Sequence, residues 1–130
     1  MAYSNEEELD IEDDLEEFAV NSMRALALNF IRNVTYASPV DTGRFRANWT
    51  FSVGTPSEAY SPRRTNVAAN LKNQNTTIEK IFLYSDSVLW VSNNLPYALR
   101  LNQGSSKQAP AFFVEKSARI SGVALRNVVI

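Results

Sequence analysis

Six arginines near three aromatic side chains are the residues best placed to do chemistry. Arg44 and Arg46 bracket Phe45 just ahead of Trp49, Arg100 follows Tyr97, and Arg63, Arg64 and Arg126 add further cations. Cations beside stacking surfaces suit nucleic acid, because a guanidinium neutralises phosphate while a ring stacks on a base. No helix-turn-helix, zinc-finger or RNP-type signature accompanies them. The acids outside the N-terminal cluster are Asp41, Glu58, Glu79, Asp86 and Glu115, and no spacing pairs them as catalytic acid and base. The sequence contains neither histidine nor cysteine. That removes the usual proton shuttle, the triad base, the commonest metal ligand, disulfides and thiolate ligands. Phosphate-cradling glycine loops and a G-x-S-x-G serine are also missing. The sequence therefore predicts no catalytic, cofactor-binding or metal site, and a protein that is not an enzyme.

Charge is distributed unevenly. Residues 1–17 hold nine acids and no base, while the remaining chain carries +8. An acidic start of this kind reads as a solvated helix end, or as a face that attracts the basic body within one molecule or between neighbours. It lacks the glycine and terminal glutamate of a calcium loop. The opening residues have no basic start and apolar run, so no secretory signal is expected, nor is any membrane-spanning stretch.

These residues must be positioned by a single domain, since 130 residues with 45% hydrophobic content suffice for one compact core. From about Glu12 to Tyr36, the positions Leu15, Ala19, Met23, Leu26, Phe30 and Val34 recur at helical spacing, with acids in the first turns where the helix dipole favours them. Ala25 to Leu28 make the second half apolar nearly all round. Its cover is then either the sheet of its own domain or a neighbouring subunit. Pro39 stops the helix, and Asp41, Thr42 and Gly43 supply turn chemistry. Phe45, Ala47, Trp49, Phe51 and Val53 then alternate with Arg44, Arg46, Asn48, Thr50 and Ser52. That pattern predicts a half-buried strand with Phe45 and Trp49 as core anchors and Arg44 and Arg46 free on its outer face.

The polar stretch from Gly54 to Thr77 is too long for a plain loop in a compact domain. It is expected to be functional or to carry a short helix from a Thr65 cap through Val67, Leu71 and Lys72. Arg63, Arg64 and Lys72 would be exposed there. Ile78 to Tyr84 and Val88 to Ser92 read as a hairpin around Ser85 to Ser87. Pro96 suits the first turn of a short helix that Gly104 ends, and Pro110 leads into a last helix through Phe113, Ser117, Ile120, Ala124 and Val128. The expected fold class is α+β: a long N-terminal helix and a C-terminal helix packed on a small, mainly antiparallel sheet of about three strands, with a long loop insertion. The expected organisation is an acidic segment, 1–14, and one domain, 15–130.

Two segments carry a resemblance. "PVDTGRFRANW", Pro39 to Trp49, and "NNLPYALRLNQGSSKQAP", Asn93 to Pro110, resemble the small neck and tail-completion proteins of long-tailed bacteriophages. There a long N-terminal helix precedes a P-V-D-T-G corner, and an N-x-x-P-Y-A turn precedes a glycine and a Q-A-P link into the last helix. Order and separation match from about residue 15 onward. Asn102 and Ser105 stand where the family usually has an acid and often a histidine, and Phe112 stands where glycine is common. The acidic start is not part of the family pattern.

The resemblance implies a structural virion protein, made in the host bacterial cytoplasm, that assembles as a ring, sixfold in this reading, at the junction of head and tail. Its implied partners are copies of itself, a head-closure or adaptor ring, and the tail tube or terminator, with contact to DNA in the channel and none to membrane. Pro39, Asp41, Thr42, Gly43, Pro96, Tyr97, Gly104 and Pro110 are the structural corners. Arg44, Arg46, Arg63, Arg64, Lys72, Glu12, Asp13 and Glu16 are candidate interface residues. A tail terminator that caps the tube, and a DNA-binding accessory protein, are the alternative readings.

Overall fold

The computed structural model describes residues 5–40, 42–105, 109 and 111–122. Helix α1, Asn5–Ala37, is 33 residues long, about 50 Å at 1.5 Å per residue. It crosses residue 14 without interruption. Glycine and proline are absent from it, and the first proline beyond it is Pro39. At its end the Ser38 N–H donates to the Val34 carbonyl at 3.1 Å, and the Ser38 hydroxyl donates to the same carbonyl. Its inner face is Ala27, Phe30, Ile31 and Val34, all buried. The stripe expected from Leu15 to Val34 is only half right: Leu15 is 63% exposed and Leu26 39% exposed. Steps of mostly four residues overrun the 3.6-residue turn, so Leu15 sits roughly 100° around the helix from Val34.

The strand expected from Phe45 is shorter than the alternation suggests. Arg46–Asn48 form a 3-10 turn, and strand β1 is Trp49–Val53. Gly43 starts this turn, its carbonyl accepting from Ala47 N–H at 2.9 Å, and Asn48 N–H reaches Phe45 O at 3.1 Å. Phe45, Ala47, Trp49 and Phe51 are nevertheless all buried, because the tight turn brings the first two onto the face the strand continues.

The largest correction lies in the middle of the chain. Helix α2, Val67–Lys80, has 14 residues and is capped by Asn66, whose side chain accepts from Ala69 N–H at 3.0 Å. Neither Thr65 as cap nor a helix ending near Lys72 is found. Ile78 is fully buried on this helix, and Phe82–Tyr84 form no strand. The expected hairpin is therefore absent, and the described sheet has two strands. Strand β2, Leu89–Asn93, pairs antiparallel with β1 from Trp49 opposite Asn93 to Val53 opposite Leu89. An apolar run of Ile, Phe, Leu and Tyr has strand propensity, but burial of Ile78 against the core outweighs it.

Beyond β2, a short turn of helix, α3 (Ala98–Arg100), runs into a π-turn, Leu101–Ser105. Helix α4, Phe113–Ser121, then packs along α1, where Asn33 Nδ2 donates to Ser121 Oγ at 2.8 Å. The fold is α+β, helices layered on a small antiparallel sheet. Among the described residues no helix is long and apolar enough to cross a membrane.

Candidate functional site

Phe45 is the point where distant segments meet. Its ring stands edge-on to Trp49 at 5.7 Å and to Phe113 at 5.9 Å, and lies tilted on Tyr97 at 6.2 Å. Its carbonyl accepts from Asn93 Nδ2 at 2.8 Å. The corner after α1, the turn after β2 and the start of α4 thus share one aromatic cluster. Aromatic pairs at these separations contribute roughly 0.5–1.5 kcal/mol each beyond their buried area.

The corner itself is built around Gly43. Its φ is +83°, and a Cβ there would meet the Thr65 carbonyl oxygen at 2.7 Å, so only glycine fits both the conformation and the approach of the loop. Gly43 N–H donates to Val40 O at 2.8 Å, and Thr42 Oγ1 accepts from Arg44 N–H at 3.3 Å. Pro39 is buried beside them. Trp49 Nε1 donates to Ser38 Oγ at 2.9 Å, tying strand to helix end. Asp41 and Pro110 lie outside the described residues. In the second corner Pro96 is exposed and Tyr97 half-buried; Gly104, at φ +102°, faces Ala111, whose Cβ would be 3.0 Å from an added side chain.

Of the candidate interface cations, Arg46 is not free. Its Nε donates to Ser38 O and its terminal nitrogen to Tyr36 O, both at 2.8 Å, and its guanidinium lies 5.8 Å from the Tyr36 ring centre. The last turn of α1 has no basic residue of its own, so Arg46 supplies the charge that its carbonyl end favours. Arg44 and Arg63 are exposed. Arg64 is exposed too, with a 3.4 Å contact to Asn70 Oδ1. Lys72 rims a cleft of about 380 Å³ with Tyr36, Leu71, Asn75 and Glu79. Glu12 and Asp13 are exposed on α1. Glu16 turns toward its own chain and accepts from Ser85 N–H at 2.7 Å; hydrogen bonding by the Ser85 side chain, and then by this N–H, holds its carboxyl below the usual carboxylate range. Among the described residues the arginines and aromatics do not form one stacking surface, since Phe45 and Trp49 are 5% exposed; Arg126, like Ala124 and Val128, lies outside the described residues.

A network of amide side chains was not singled out in the sequence, although the stretch is visibly rich in asparagine. Asn48, fully buried, donates to Arg44 O at 2.8 Å and Ser61 O at 3.0 Å and accepts from Ser61 N–H at 2.8 Å. Asn70 Nδ2 donates to Trp49 O at 3.0 Å, and Gln74 Oε1 accepts from Phe51 N–H at 2.9 Å. Helix α2 thereby closes the open edge of β1, which would otherwise offer unpaired backbone groups to another strand. Asn94 holds the loop through Ser57 O and Ala59 O. Arg24 Nη1 donates to Ile78 O at 2.6 Å, capping α2 from α1. The long loop is thus pinned to the domain at several points.

Two exposed features were also missed: the large side chains Ile11, Leu15 and Phe18 on α1, and an edge-to-face pair of Phe82 and Tyr84, 4.9 Å apart. No protein-family model matches the chain, and no curated protein or solved structure matches it either.

Proposed function

We propose that this chain is a structural virion protein of the bacteriophage neck, one subunit of a ring that completes the tail and joins it to the DNA-filled head. The observation that carries the reading is the meeting of its two motif segments at Phe45. Pro39 to Trp49 and Asn93 to Pro110 are separated by more than 40 residues, yet Asn93 bonds to Phe45 O and Tyr97 packs on the Phe45 ring.

The protein acts by contact, without turnover, cofactor or metal. Its partners are further copies of itself and the rings above and below it in the neck. Exposed Glu12 and Asp13 at one end and Arg44, Arg63, Arg64 and Lys72 elsewhere supply faces of opposite sign, as a ring of head-to-tail contacts requires. Burial of Phe45 and Trp49 removes the rings that a nucleic-acid reading would use for stacking, so DNA contact is left to exposed cations alone. Steep loss of duplex binding with salt at moderate salt concentration would restore that reading.

The test is electron microscopy of lysates from a phage with a stop codon in this gene. DNA-filled heads separate from free tails of normal length are the expected result. Overlong or missing tails would assign a tail terminator instead, and normal infectious particles would overturn both.

A further inference from the structure

The first half of α1 carries a solvent-facing apolar stripe on the side of the helix turned away from the domain. Ile11, Leu15 and Phe18 are 46%, 63% and 71% exposed. At 100° per residue they lie on one side, roughly 140° around from Phe30, Ile31 and Val34, which face the core. Glu16 falls on the inward side and bonds to Ser85, which fixes the helix's rotation and leaves the stripe outward. Asp14 and Glu12, both exposed, flank it. A row of large apolar side chains with acids on both sides is a surface for a partner.

The same chain presents a surface of opposite sign. On α4 the outward positions are Lys116, Arg119 and Ile120, the last 77% exposed, with Phe112, 53% exposed, just ahead of the helix. Lys116 stands three residues before Arg119 and four before Ile120, so the three share one helical side. Two apolar residues there frame two cations, whereas on α1 apolar residues are framed by acids. We propose that the projecting half of α1 docks on the outward face of α4 of a second copy of this chain, a head-to-tail contact between unlike faces. The inference rests on the ring reading above and names its subunit contact.

Other occupants fit less well. A parallel pair of α1 helices would set Glu12 and Asp14 against their own kind. Anionic lipid and nucleic acid meet nine acids within residues 1–17 and are repelled. A cationic, partly apolar protein face satisfies both components of the stripe, and α4 is such a face at the same concentration as the stripe itself.

The protein has no cysteine, so single thiols report contacts without background. Leu15→Cys and Ile120→Cys chains, mixed in concentrated solution at low salt and oxidised, are expected to give the mixed disulfide well above either symmetric product. Reversing the charges, as Glu12→Lys with Asp14→Lys in one chain or Lys116→Glu with Arg119→Glu in another, is expected to abolish self-association of each. Mixing the two reversed chains is expected to restore it. All of these side chains are exposed, and circular dichroism verifies that each variant is folded. A dominant Leu15→Cys symmetric product, a statistical mixture, or no product overturns the proposal. None of those results would touch the neck assignment, which is read from particles in a lysate.

Discussion

Asn102 donates its amide to both carboxylate oxygens of Glu115, at 3.1 Å each, while its own Oδ1 accepts from Val114 N–H at 3.0 Å. One 8%-exposed side chain therefore caps the first turn of α4 and anchors the acid that follows. An acid in place of Asn102 would face Glu115. The amide is the residue type that can serve both partners. Asn102→Asp is expected to cost about 2 kcal/mol by setting like charges together and losing the donor bonds. Glu115→Gln in the same chain should return most of that loss. Denaturant melts of the four proteins measure the coupling, and additive effects would mean that the pair does not act as one unit.

Phe112, immediately before α4, has φ 60° and ψ 38°, and among the described residues no other non-glycine has positive φ. A left-handed conformation costs an ordinary residue about 1–2 kcal/mol. It is held here by Phe112 N–H donating to Asn102 O at 2.6 Å and by Lys116 N–H reaching back to Phe112 O at 3.0 Å. Phe112→Gly is expected to raise stability by about 1 kcal/mol, because glycine adopts positive φ without strain. A thermal melt decides; a drop of that size would show that the exposed ring contributes more than the strain costs.

Asn48 joins the corner to the loop. Removing its side chain leaves Ser61 N–H and two carbonyls short of a partner in a buried place, so Asn48→Ala should cost about 2–3 kcal/mol. Proteolysis should then cut within residues 55–64 first. Unchanged stability and unchanged cleavage would show that water replaces the amide without loss.

Much of this arrangement was legible in the sequence, in identifiable places. The core anchors Phe45 and Trp49 followed from alternation, the Gly43 corner from turn chemistry, and α1 and α4 from helical spacing. What escaped was decided by tertiary contact. Ile78 has the propensity of a strand residue but ends a helix because the core takes it there. Asn70 and Gln74 looked like loop polarity and instead satisfy the backbone of β1, while Asn48, read as an outward strand residue, is buried and ties Arg44 to Ser61. Arg46 alternates outward on paper, yet the 3-10 turn aims it at the carbonyl end of α1, an arrangement that no local pattern encodes. The outward stripe of Ile11, Leu15 and Phe18 was hidden because a run of four-residue steps seemed to lead Leu15 into the core.

Glu16 gives a pH signature. Hydrogen bonds from the Ser85 side chain and then its N–H lower its pKa, so the contact is present above the ordinary carboxylate range and is lost as pH falls through the lowered value. In an NMR titration Glu16 should protonate below the ordinary glutamate range, with the Ser85 amide shift following it. Titration of Glu16 within the ordinary glutamate range would mean that α1 does not hold the residue 82–86 turn in solution.

The central claim, that the protein joins heads to tails, is tested most directly by adding the purified chain to a lysate of the stop-codon phage. Infectious particles should appear, with heads and tails joined under the electron microscope. Heads and tails that are competent with wild-type lysate but stay apart with the purified, folded protein would contradict the account.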